Sequence, residues 1–164
     1  MRRTWSPVAL FLTIASIIVL YAVYGPYDDG RRRPRSLCLS NVKQLATATL
    51  IYIEDHDQRF PLENWTDATA QYRKGDDMLH CPENEGRGGY GYAMNTAVVG
   101  KVYNLEMDWT VLFFETVVQA RNLIMNLPGR SDDKHAGQYS AVSYCNGAAR
   151  YVEKGTRPDA PPSP

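Results

Sequence analysis

Eighteen consecutive positions, Pro7 to Tyr24 (PVALFLTIASIIVLYAVY), carry no charge, and this run constrains the chain more than any other feature. At 1.5 Å rise per residue it spans roughly 27 Å as a helix, close to the hydrocarbon thickness of a bilayer. Trp5 precedes it and Tyr21, Tyr24 and Tyr27 close it, matching the preference of aromatic rings for membrane–water interfaces. Gly25-Pro26 then stops or kinks the helix. A cleaved signal peptide has a shorter apolar core and a small-x-small exit, whereas this run ends in the bulky Tyr21-Ala22-Val23-Tyr24. The expectation is an uncleaved transmembrane anchor over residues 1–24. Arg2 and Arg3 flank it on one side and Arg31, Arg32, Arg33 and Arg35 on the other, so the positive-inside rule does not set its orientation.

The rest of the chain is polar, because the mean hydropathy is −0.40 with the apolar run included. Lys plus Arg number 18 and Asp plus Glu number 18, giving no net charge and a pI near 6.8. That balance argues against a general nucleic-acid binder, which needs a basic excess. Residues 25–36 (GPYDDGRRRPRS) read as a polar hinge. Its arginines either touch anionic headgroups, at about 1 kcal/mol each, or form a solvated linker. The roughly 120 residues that remain suffice for one core.

In that part, Leu39, Val42, Leu45, Ala46, Thr49, Leu50 and Ile53 recur at three- and four-residue spacing, which predicts an amphipathic helix. Ser40 is a candidate cap, and Pro61 lies beyond the end. Asn64 to Tyr72 is a weaker helical stretch. Strands are expected at Tyr90–Met94, at Trp109–Glu115 as a continuous apolar and hence central strand, and at Tyr139–Tyr144 and Ala148–Val152. The last two flank Asn146-Gly147, a signal for a tight type I′ hairpin turn. The expected fold is α+β: the amphipathic helix packed on a small antiparallel sheet over residues 37–153, with a disordered Pro-rich tail at 154–164.

The motifs along this domain resemble a known family. Cys38 to Leu45 (CLSNVKQL), followed by Tyr52, Asp55, Asp57 and Phe60-Pro61, is similar to the CLSNLKQ…Y…D-x-D…FP block of pseudopilin-like proteins. These belong to the type II secretion and type IV pilin superfamily, in the branch with an H-x9-DG motif. Cys81-Pro82 with Tyr92 and Asn95, Val111 to Glu115, and His135 through Gly147 resemble three further blocks in the same order. Here Arg3-Thr4-Trp5-Ser6-Pro7 replaces the family's processing leader, and no Glu lies in the apolar run. Asn146 stands for the family's Asp and Ala148 for its His, and His135 precedes the turn by ten residues. Cleavage, N-methylation and filament entry therefore do not carry over. The resemblance implies a pilin-like fold and a single-pass protein of the cytoplasmic membrane, with its N-terminus inside and its domain periplasmic or otherwise extracytoplasmic. It also implies the lipid bilayer, other pilin-like subunits or secretion machinery as partners, and no catalysis.

Three cysteines, Cys38, Cys81 and Cys145, allow three single pairings or three reduced thiols. The resemblance selects Cys38–Cys81, since both fall in shared blocks. No C-x2-C or H-x3-H pair suggests zinc. Asp55 and Asp57 are weak candidates for Ca²⁺, which needs six to eight oxygens; Asp76 and Asp77 form a second acidic pair. Some pseudopilins carry calcium in C-terminal loops, which adds Asp132 and Asp133. Solvated loop charge is the competing reading, and no resident cofactor is expected. Gly86 to Gly91 satisfies G-x-G-x-x-G, but a dinucleotide site needs a strand before it and a helix after it. His56, His80 and His135 have no nucleophile or carboxylate placed beside them by spacing. The alternative function is a membrane-tethered enzyme or divalent-cation or small-ligand module using Asp55, Asp57 or His135.

Overall fold

The computed structural model describes residues 7–24, 32–82, 89–128, 139–153 and 155–158. The chain divides into two compact units, Met1–Gly30 and Arg31–Pro164. The first contains helix α1 (Pro7–Tyr24), with apolar residues on every face and no charged residue. The side chains at 9, 10, 23 and 24 lie outside the description. Among the described residues no helix is long and apolar enough to cross a membrane. The transmembrane expectation for residues 7–24 therefore rests on the sequence.

The second unit is α+β. Helix α2 (Arg32–Asp55) is followed by the short α3 (Trp65–Ala68) and by 3-10 turns at Ala70–Tyr72 and Asp77–Leu79. Strands β1 (Tyr92–Asn95), β2 (Val111–Glu115), β3 (Ile124–Met125), β4 (Tyr139–Tyr144) and β5 (Ala149–Glu153) form one sheet in the order β3-β1-β2-β4-β5. The continuous apolar run of β2 takes the central position, and all five of its residues are buried.

The amphipathic stripe packs as its spacing predicts. Val42, Leu45, Ala46, Thr49 and Ile53 are buried, and α2 lies against β4, β2 and β5. Val42, Leu45, Ala46 and Ile53 belong with Cys38, Phe60, Trp65, Tyr92, Met94, Leu112 and Phe113 to the larger core. Ala93, Val111, Phe114, Val142, Tyr144 and Val152 form a second cluster, flanked by Leu123, Met125 and Leu127. A register shift between Val111 and Phe113 turns both Leu112 and Phe113 to the α2 side, whereas strict alternation would send one of them away.

Four expectations are corrected. The sheet is mixed, not antiparallel throughout, because the two-residue β3 pairs in parallel with β1; a strand that short carries no periodic signal. The hinge expected over residues 25–36 is helical from Arg32 onward. Pro34 falls in the first turn, where its missing N–H has no intrahelical acceptor to lose. Ser40 lies inside α2, where its Oγ accepts from Gln44 Nε2, and caps neither end. The Asn146-Gly147 connection is not type I′, since only Gly147 has positive φ, at 80°. Gly147 N donates to Tyr144 O and Tyr144 N to Ala148 O, the pattern of a three-residue loop with a glycine bulge. Residues 25–31 of the expected hinge, and 154 and 159–164 of the expected tail, lie outside the described residues.

Candidate functional site

The residues with the most concentrated chemistry meet where α2, the loop before β1 and the end of β2 converge. Cys38 lies on the buried stripe of α2, one turn before Val42. Cys81 follows the Asp77–Leu79 turn, and Glu115 ends β2. The loop carrying Cys81 is held by Gly91 N donating to Leu79 O and by an antiparallel bridge between His80 and Tyr90. Asn41, one residue short of a turn beyond Cys38, donates to His80 O at 3.0 Å and to the Tyr92 hydroxyl at 3.2 Å.

The Cys38 and Cys81 sulfurs lie 2.8 Å apart and both residues are buried as free thiols. The Cys81 thiol donates to Glu115 Oε1 at 3.6 Å, and the other carboxylate oxygen accepts from Ala141 N on β4 at 2.6 Å. Hydrogen bonding to Cys81 first, then burial and the Glu115 charge, push the Cys38 thiol far above the ordinary thiol range. Burial, followed by the charges of Cys38, Cys81 and Glu115, pushes Tyr92 up in the same way. Cys145 is separate: burial, and then Asp108, push it up to about 12.

The structure thus brings Cys38 and Cys81 together and leaves Cys145 elsewhere in the core. Of the weak calcium candidates, only Asp55 and Asp57 fall among the described residues. Asp55 is exposed and accepts from the Tyr72 hydroxyl at 2.9 Å, while Asp57 sits in an exposed turn at φ 53°. Asp132, Asp133 and His135 lie outside the described residues. Among the described residues, the group of three metal-type donors within reach of one another is Cys38, Cys81 and Glu115. Asp76 is taken up by Arg73 Nη2 at 2.6 Å, which holds its carboxyl below the usual range.

His56 stacks on Tyr52 with ring centroids 3.8 Å apart, and His80 stacks on Tyr90 at 5.5 Å. Gly86 and Gly88 are outside the described residues, and strand β1 rather than a helix follows Gly91. Without a helix N-terminus there is nothing to face a pyrophosphate. Glu115 is the participant that spacing did not single out. Its signal was a charged residue closing an otherwise apolar strand, which burial turns into an obligation to find partners.

Comparison with protein-family models, with curated proteins and with solved structures finds no match for this chain.

Proposed function

We propose that this chain is a membrane-anchored, pseudopilin-like structural or interaction protein without catalytic activity. Its α+β domain faces the outside of the cytoplasmic membrane and meets other pilin-like subunits or secretion machinery. The observation that supports this most is the 24-residue α2 laid on a sheet, in a chain that also carries a charge-free 18-residue helix. The blocks of sequence resemblance fall on this scaffold: CLSNVKQL on α2, Cys81-Pro82 beside it, Tyr92 and Asn95 on β1, and Val111–Glu115 as β2. In an oxidising compartment the Cys38 and Cys81 thiols, already adjacent, close into a disulfide.

The test uses native membranes. Full-length protein is expected to resist carbonate extraction, to be digested by protease added from outside, and to cross-link into higher-mass species in mild detergent. A variant lacking residues 1–24 is expected to become soluble and to lose those species. Alkylation without reduction should add one group, at Cys145, to the intact mass. Carbonate release or protection from external protease overturns the membrane reading. A strictly monomeric state overturns the assembly, and three alkyl groups overturn the disulfide.

A further inference from the structure

Glu115 is 6% exposed at the end of the central strand, among apolar neighbours. Burying a carboxylate costs several kcal/mol unless partners offset it. Satisfying the Ala141 N–H alone would need only a neutral acceptor such as Gln. The other carboxylate oxygen, however, takes a thiol that itself lies 2.8 Å from a second thiol. We propose that Glu115 is the proton acceptor that makes the Cys38/Cys81 dithiol a site of thiol–disulfide exchange, with Cys81 the attacking sulfur. Only the natural oxidant depends on the extracytoplasmic reading; the chemistry itself is tested without a membrane compartment.

Both thiols lie within reach of Glu115, and exposure distinguishes them: Cys81 donates to Oε1 at 3.6 Å and keeps 4% exposure, while Cys38 is fully buried. Among the described residues, the titratable groups facing Glu115 include Cys81 from the loop, Cys38 from α2 and Tyr92 from β1, with the Ala141 N–H supplied by β4. The oxidant is a small-molecule or protein disulfide, such as oxidised glutathione. The Cys81 proton passes to Glu115 Oε1, and the sulfur's electron pair attacks one sulfur of the oxidant. The mixed disulfide forms, the oxidant's S–S bond breaks, and the expelled thiolate takes the proton from Glu115. Cys38 then attacks the Cys81 sulfur and expels the second small thiol, which carries away the Cys38 proton. Two thiols and one disulfide become one disulfide and two thiols, with the carboxylate restored. A zinc site fits less well, because two thiolates on a tetrahedral zinc ion with bonds of about 2.3 Å stand about 3.8 Å apart.

Reduced full-length protein in detergent is mixed with oxidised glutathione between pH 5 and 8, quenched in acid and alkylated, and the bridge is located by peptide mass. The wild-type rate is expected to rise by less than tenfold per pH unit over this range, because a fixed carboxylate rather than hydroxide takes the thiol proton. Glu115→Gln should be slower by about 10- to 100-fold at pH 6 and rise tenfold per pH unit, as simple thiol ionisation dictates. Glu115→Asp should recover part of the loss. A Gln variant matching the wild-type rate and slope overturns the proposal, as does a wild-type rate rising tenfold per unit throughout. If circular dichroism shows the Gln variant unfolded, the Asp variant and the wild-type profile decide. Stoichiometric zinc that shields both thiols from alkylation overturns it in favour of a metal site.

Discussion

A methyl group added at Gly91 would stand 2.5 Å from the Cys81 Cβ and 2.8 Å from its backbone nitrogen, so the strap holding the thiol pair would have to move. Gly91→Ala is expected to destabilise the fold by about 1–3 kcal/mol, read from the denaturant midpoint, and to slow closure of the bridge. An unchanged midpoint would mean that the loop gives way freely. At the same scale, Arg121 and then Asn122 hold the Asp67 carboxyl below its ordinary range, and Arg73 does the same for Asp76. A depressed carboxyl contributes stability above its unfolded pKa near 4, and that contribution is lost as pH falls through the folded value. The melting temperature of the wild type should therefore drop more steeply below about pH 4 than that of Asp67→Asn/Asp76→Asn. Parallel curves would show that these exposed pairs add nothing. Residue-level chemistry was legible in the sequence only in part. The cysteine pairing came from two shared blocks, but Glu115 was hidden because the register that puts it opposite Ala141 is a property of the folded sheet.

Helix α2 was the most legible element, since a stripe repeating every three or four residues has one geometric solution. Leu45 is 1% exposed on that stripe and Lys43 is exposed. Leu45→Ala should cost about 2–5 kcal/mol, whereas Lys43→Ala should stay within about 0.5 kcal/mol; equal effects in urea unfolding would contradict the packing. The β4–β5 hairpin was legible in place but not in type. Gly147 has φ 80°, and a methyl group added there would stand 2.9 Å from Leu50 Cδ1, so the turn is fitted to α2 as well as to its own strands. Strand β3 was illegible because two residues cannot alternate. It exists because Met94 N and Thr96 N find the carbonyls of Leu123 and Met125.

For the whole molecule, the order of elements carried the α+β class, helices first and sheet after, while the parallel β1–β3 edge depended on contacts that no local pattern encodes. The closed Cys38–Cys81 bridge would join the helical stretch to the start of the sheet. In the chain-entropy view a loop of that length contributes about 4 kcal/mol, so oxidised protein should unfold at clearly higher denaturant than reduced protein. The packing of α2 on β4 also sets a schedule. The stripe through Val42, Leu45 and Ile53 completes its cover only when Tyr139–Tyr144 arrives. At a synthesis rate of about 5–20 residues per second, that wait is on the order of 5–20 s. For that interval each new chain presents an apolar helix face whose sheet is still incomplete. The hazard of misassociation during synthesis therefore lies at α2, the element that in the finished fold packs on β2, β4 and β5.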